Sequence, residues 1–124
     1  MKSLSIIEPY ASLIMEGYKL IETRPRRTNY RGRILIHASA TRIPKAWRPL
    51  VSRVSQVRCG YVIAIADLVD CVEMTEEWIQ ALPAVEREVG FYSVGRYAWI
   101  LDNVQPIEPF KAKGHLGLWN CQGA

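Results

Sequence analysis

Cysteine is scarce in this chain. Cys59, Cys71 and Cys121 are odd in number, far apart and without any C-x-x-C spacing. That argues against zinc and a disulfide framework and fits a reducing compartment, the cytoplasm. Histidine is scarcer: neither His37 nor His115 has a cysteine or acid at metal-ligand spacing, so no metal is expected. No apolar run is long enough to span a bilayer, so no membrane association is expected. The first residues, MKSLSIIEPYAS, lack the apolar run and small-residue cleavage site of a signal peptide. There is no Walker loop, no G-x-G-x-x-G and no nucleophile-elbow serine, so no cofactor is expected either. Repeats and low-complexity segments are also missing.

What the chain does have is a core and a polarised charge. Its 124 residues, 49% of them hydrophobic, predict a single domain over 1–124. The net charge of +4 hides an asymmetry. Residues 1–60 carry twelve bases against three acids, a net of +9, whereas residues 61–124 carry four bases against nine acids, a net of −5. Such a split favours a surface that faces a polyanion, RNA or a nucleotide. The competing readings are ion pairing between the two halves and a protein-interaction domain with an incidental basic face.

Periodicity places the elements. SLSII, Ser3 to Ile7, reads as a short strand. Pro9 suits a first helical turn, Tyr10, Leu13 and Ile14 share one buried helical face, and Gly17 is a natural stop. YKLIETR follows as a strand from Tyr18. Strict alternation puts Glu22 and Arg24 on one face and Lys19 on the other. PRRTNYRG is a loop, RILIHAS a strand, and Ala40 to Gln56 a helical excursion interrupted by Pro44 and Pro49. GYVIAIADLVDCVE gives the strongest strand signal. Thr75 caps a short helix, TEEWIQAL, with Met74 and Ile79 stapled around the cap. Ala84 to Val94 reads as loop and turn, RYAWILDNVQPI as a strand, and HLGLWNC as a last strand closing on the first. Five or more strands with short helices between them predict an α+β fold, a compact mixed barrel rather than a parallel βαβ sheet.

Two groups of residues could carry chemistry. Arg24, Arg26, Arg27, Arg31 and Arg33 lie within ten residues, with Asn29 and Tyr30 among them. Guanidinium forks match phosphate oxygens, and an interleaved aromatic offers a base a stacking surface. Tyr10, just inside the helix start, is a second candidate at a cleft mouth. Lys19 and Glu22 form the other group. A lysine beside a carboxylate is a general base or nucleophile when burial lowers its pKa, and an ordinary surface pair when it does not. Three residues apart on a regular strand, the two would face opposite ways. A shared cleft requires a bulge or turn near Lys19.

Those residues also carry a resemblance. PYASLIMEGYKLIETR, then YRGRILIHAS, then YAWILDNV and GLW, resemble the ASCH domain family of the PUA-like superfamily of small β-barrels. The specific element is G-x-K-x-x-E-x-R, here Gly17, Lys19, Glu22 and Arg24. The segment from Arg42 to Arg58 is the least family-like part. The resemblance implies a cleft lined by Lys19, Glu22 and Arg24 that holds RNA or a modified nucleotide. Arg26, Arg27 and Arg31 would draw in phosphates, and Tyr10 or Tyr30 would stack on a base. It also implies a hydrolase alternative with Lys19 and Glu22 in the site, because some small relatives hydrolyse N4-acetylcytidine or cleave RNA. In the amidohydrolases the lysine acts with a threonine and a downstream glutamate. The threonine position falls on Glu22, Thr23 is one residue off, and Glu73, Glu76 and Glu77 are the downstream candidates.

Overall fold

The computed structural model describes residues 1–122. In chain order the elements are β1 (Lys2–Ile6), α1 (Tyr10–Met15), β2 (Ile21–Arg24), β3 (Gly32–Ala38), a 3-10 helix (Lys45–Arg53), β4 (Tyr61–Glu73), α2 (Glu76–Gln80), α3 (Ala84–Val89), β5 (Tyr97–Lys111) and β6 (Leu118–Asn120). One six-stranded sheet runs β2-β5-β4-β3-β1-β6. All neighbours are antiparallel except β1 and β3. The sheet curls into a half-barrel with short helices, a PUA-like α+β fold.

The curl has a local origin. The long β4–β5 ribbon carries register shifts between Val62 and Ala64, Ile65 and Asp67, and Leu68 and Asp70. Each extra residue bends its strand and sharpens the right-handed twist. Bending brings β2, at one edge, round toward β1, next to the other edge. There the Arg24 guanidinium donates from Nη2 to the Ser5 carbonyl oxygen at 2.6 Å. The concave side is filled by Leu4, Ile6, Ile34, Ile36, Ile63, Leu68 and Leu101, with Leu13 and Ile14 of α1 packed into it.

Local signals in the sequence map onto these elements with four corrections. The strand expected from Tyr18 begins only at Ile21. Gly17 takes φ +86 and the Tyr18 amide still bonds back to Leu13, so Lys19 and Leu20 lie outside the regular strand. The 40–56 excursion is a 3-10 helix, with Pro49 inside it. Proline has no amide hydrogen to give, which suits a short 3-10 piece better than an α-helix. Ala84–Val89, expected as loop, is helix α3 behind Pro83. The last strand contracts to Leu118–Asn120 because Gly117 turns at φ +64; it does pair with β1. The Thr75 cap forms as expected, its hydroxyl accepting from the Trp78 amide at 3.2 Å, and Met74 packs with Ile79.

Candidate nucleotide-binding cleft

The turn between α1 and β2 decides the geometry of the site. Gly17 ends the helix, two non-strand residues follow, and Lys19 turns inward before β2 starts its alternation. Lys19 and Glu22 therefore line one cavity of about 660 Å³ despite their odd spacing. Its wall includes Ser5, Tyr10, Arg24, His37, Trp47 and Arg96. The size lies in the range of small-molecule sites.

Lys19 is the most unusual residue there. It is 2% exposed. Its Nζ has no hydrogen-bond partner; Glu86 Oε1 is 4.0 Å away, a Coulombic neighbour beyond hydrogen-bond reach. The ammonium lies 5.3 Å from the Tyr92 ring centroid and 5.7 Å from that of Tyr10. Burial pushes the Lys19 pKa below the usual lysine value, against the opposing pull of Glu22 and Glu86. Burial also raises the Tyr10 phenol, helped by Glu22. The Tyr92 phenol is raised in the same way and donates to Glu86 Oε1 at 2.7 Å. The other oxygen of Glu86 accepts from the Leu20 amide at 3.4 Å.

Glu22 is 8% exposed and accepts from Arg24 Nε at 3.0 Å. With Nη2 on Ser5, Arg24 spans the seam of the half-barrel and also floors the cleft. Its guanidinium lies 5.9 Å from the Trp99 centroid.

A polar network supports the opposite wall. A carbonyl can only accept, so His37 Nε2 donates to Ala112 O at 2.8 Å. In the neutral ring Nδ1 is then an acceptor for the Ser5 hydroxyl at 2.9 Å. Ser5 Oγ in turn accepts from the Trp119 indole at 3.0 Å. His37 is 1% exposed, a satisfied core histidine. Gly114 lies against the pair: a Cβ there would meet Ser5 Oγ at 2.5 Å and His37 Cε1 at 2.7 Å.

Among the residues singled out in the sequence, the fold gathers Tyr10, Lys19, Glu22 and Arg24 around the cavity. Arg26, Arg27, Tyr30 and Arg31 fall outside its lining. Arg26 gives its carbonyl to the Trp99 indole at 3.1 Å, and Arg27 lies 5.3 Å from the Tyr97 ring. Tyr30 donates its hydroxyl to Arg33 O. Arg31 bonds the carbonyls of Thr28 and Tyr30 and lies 3.8 Å from Asp70. Arg33–Asp67 and Arg53–Glu88 likewise pair the basic half with the acidic half.

Three cleft elements escaped sequence reasoning. Glu86 comes from α3 and approaches Lys19 at 4.0 Å from behind the cavity lining, whereas Glu73, Glu76 and Glu77 are exposed. Tyr92 and Arg96 come from the loop between α3 and β5. Trp47 comes from the 3-10 helix and meets Tyr10 edge-on with centroids 4.8 Å apart. The P-A-V-E-R-E-V pattern, proline followed by an early acid, was the one available signal for α3. Among the described residues no cluster of histidine, cysteine or acid could hold a metal ion, and no helix is long and apolar enough to cross a membrane.

Known proteins bear on this arrangement. Two curated relatives, Activating signal cointegrator 1 from Homo sapiens and from Mus musculus, are each 26% identical over 135 residues. Each match covers 94% of this chain but 21% of the relative, so the chain spans about one fifth of their length. Among solved structures, ASCH from Zymomonas mobilis aligns with a TM-score of 0.61 at 20% identity, covering 98% of this chain and 87% of that one. A tyrosine-to-phenylalanine variant of the same protein aligns with the same score and identity, covering 98% of this chain and 90% of that one. These structures share the fold. The family model described as ASCH domain matches residues 4–111, and the chain belongs to that family.

Proposed function

We propose that this protein binds single-stranded RNA or a modified nucleotide in the cleft between α1 and the half-barrel. The observation that carries the reading is the Lys19 ammonium, buried at the cavity wall with no hydrogen-bond partner. A buried donor left unsatisfied costs free energy, and an acceptor atom of a ligand would recover it. Tyr10 and Trp47 offer aromatic surface to a base, and Lys19, Glu22 and Arg24 face its polar edge. Tyr30 is the weaker stacking candidate because its hydroxyl is engaged by Arg33 O and it lies outside the lining. Arg26, Arg27 and Arg31 are exposed, and their role is long-range attraction of the backbone.

A second reading is hydrolysis of an acylated nucleobase or of the RNA backbone. It is favoured by the lowered Lys19 pKa between Glu22 and Glu86. Lys19 would then act as base or nucleophile and Glu22 as its proton partner.

One pair of measurements separates the two. Labelled single-stranded RNA is titrated at low and high salt, and N4-acetylcytidine incubated with the protein is analysed by chromatography, with Lys19→Ala beside each. Binding predicts affinity that falls with salt and is weakened by Lys19→Ala, without product. Hydrolysis predicts cytidine or cleaved RNA that Lys19→Ala abolishes while most binding survives. Salt-independent affinity with no product would refute both.

A further inference from the structure

The cavity is lined by four cations, Lys19, Arg24, Arg96 and Lys113, against one carboxylate, Glu22. Glu22 is taken by Arg24 at 3.0 Å, and Lys19 has Glu86 nearby. Arg96 and Lys113 are different. Neither belongs to an ion pair among the described residues. Arg96 precedes β5, and its Nη2 donates to the Thr23 carbonyl of β2 at 3.2 Å. That single contact fixes the guanidinium at the cleft wall. Its Nε is buried and has no partner. An oriented guanidinium with free donors and no carboxylate is a receptor for an oxyanion. The exposed loop arginines do not meet that description: Arg31 is spent on Thr28, Tyr30 and Asp70, and Arg26 and Arg27 lie outside the lining.

Building on the RNA reading of the same cleft, we propose that Arg96 receives a phosphate oxygen of the bound nucleotide, with Lys113 adding charge along the cavity wall. The site then selects a phosphorylated unit, one nucleotide of a strand, rather than a bare nucleoside. Lys19, whose ammonium has no hydrogen-bond partner, is left to meet the base beside the paired Glu22 and Arg24. A cavity of about 660 Å³ has room for a nucleotide-sized unit.

The test is the salt dependence of binding to a fluorescein-labelled, mixed-sequence single-stranded RNA by the unmodified protein, Arg96→Gln, Arg96→Lys and Lys113→Gln. Each phosphate neutralised contributes about 0.7 to the slope of log affinity against log salt for a single strand. Arg96→Gln is expected to weaken low-salt binding about tenfold and to flatten the slope by about that amount. Arg96→Lys, which keeps the charge without the fork, should fall between. An Arg96 that served only to hold Thr23 would lower the thermal midpoint in both variants and leave the slope untouched, which would overturn the proposal. So would an Arg96→Gln protein that binds as the unmodified one does. If the unmodified protein has no affinity for the RNA, the reading of the cleft falls and the phosphate subsite with it. If it binds and only the Arg96 effect is missing, the subsite alone is lost.

Discussion

Arg24 on β2 reaches across 2.6 Å to the carbonyl oxygen of Ser5 on β1, joining two strands that are four places apart in the sheet order. The same guanidinium holds Glu22 at 3.0 Å. Arg24→Lys keeps the charge but loses the rigid fork that places one nitrogen on Glu22 and another on Ser5. It should lower stability by about 1.5–3 kcal/mol, the range for hydrogen bonds to charged groups. An unfolding midpoint in denaturant equal to that of the unmodified protein would show that the seam does not depend on Arg24.

Lys19 makes stability depend on pH in a defined direction. Burial lowers its folded pKa from 10.5, so just below that value the unfolded chain binds more protons than the folded one. Stability therefore rises with pH between the folded pKa and 10.5. Tyr10 and Tyr92 work the other way, but only above 10.0, because their phenols are raised in the fold. Lys19→Met should be more stable by on the order of 1 kcal/mol at neutral pH, and that advantage should shrink on the way to 10.0. Parallel stability curves for the two proteins below that pH would contradict the assignment.

Glu86 opposes the effect of burial on Lys19. Glu86→Gln removes that opposition, so the Lys19 pKa should drop further. A carbon-detected NMR titration of the Lys19 ε position reads this directly. An unchanged or raised midpoint would mean that the 4.0 Å approach has no electrostatic consequence.

Gly114 and Gly117 allow a matched comparison. Alanine at 114 must displace Ser5 and the buried His37, with contacts of 2.5–2.8 Å. Overpacking of that kind costs about 1–3 kcal/mol. Alanine at 117 meets nothing within 4 Å but sits at φ +64. Its cost should be about 1 kcal/mol, from backbone alone. Denaturant unfolding of both variants checks the order, and a larger loss at 117 would reverse the argument.

Legibility in the sequence followed range. The Thr75 cap, the Gly17 stop and the apolar run of β4 are local signals, and each forms where it was expected. The shared cleft of Lys19 and Glu22 violates strand alternation, and pattern alone pointed away from it. It exists because the two residues before Ile21 are not yet strand. Glu86, Tyr92 and Arg96 were illegible for a different reason. Arg96 reaches the cleft wall, and Glu86 and Tyr92 the Lys19 behind it, through packing across 66 to 73 residues, as in the Leu20–Glu86 and Thr23–Arg96 contacts. Composition announced the arginine cluster but not its commitments. The charge asymmetry is partly spent internally, since Arg31, Arg33 and Arg53 each find an acid of the second half.

The excursion between β3 and β4 is pinned at its two ends. Ser39 donates its amide to Ile6 O at 2.9 Å, and Gly60 donates to Ala38 O at 2.7 Å. Close to the return, the buried Glu8 carboxylate gathers the Arg58 amide, the Ser12 amide and the Ser12 hydroxyl. With entry and exit so fixed, the length of the intervening chain matters little to the barrel, because loop-closure entropy grows only logarithmically. Yet this segment delivers Trp47 to the cleft wall beside Tyr10. The fold thus carries at the cleft wall a segment whose entry and exit are held by the sheet and α1 rather than by its own length, with Leu50 and Val54 seating it on the core.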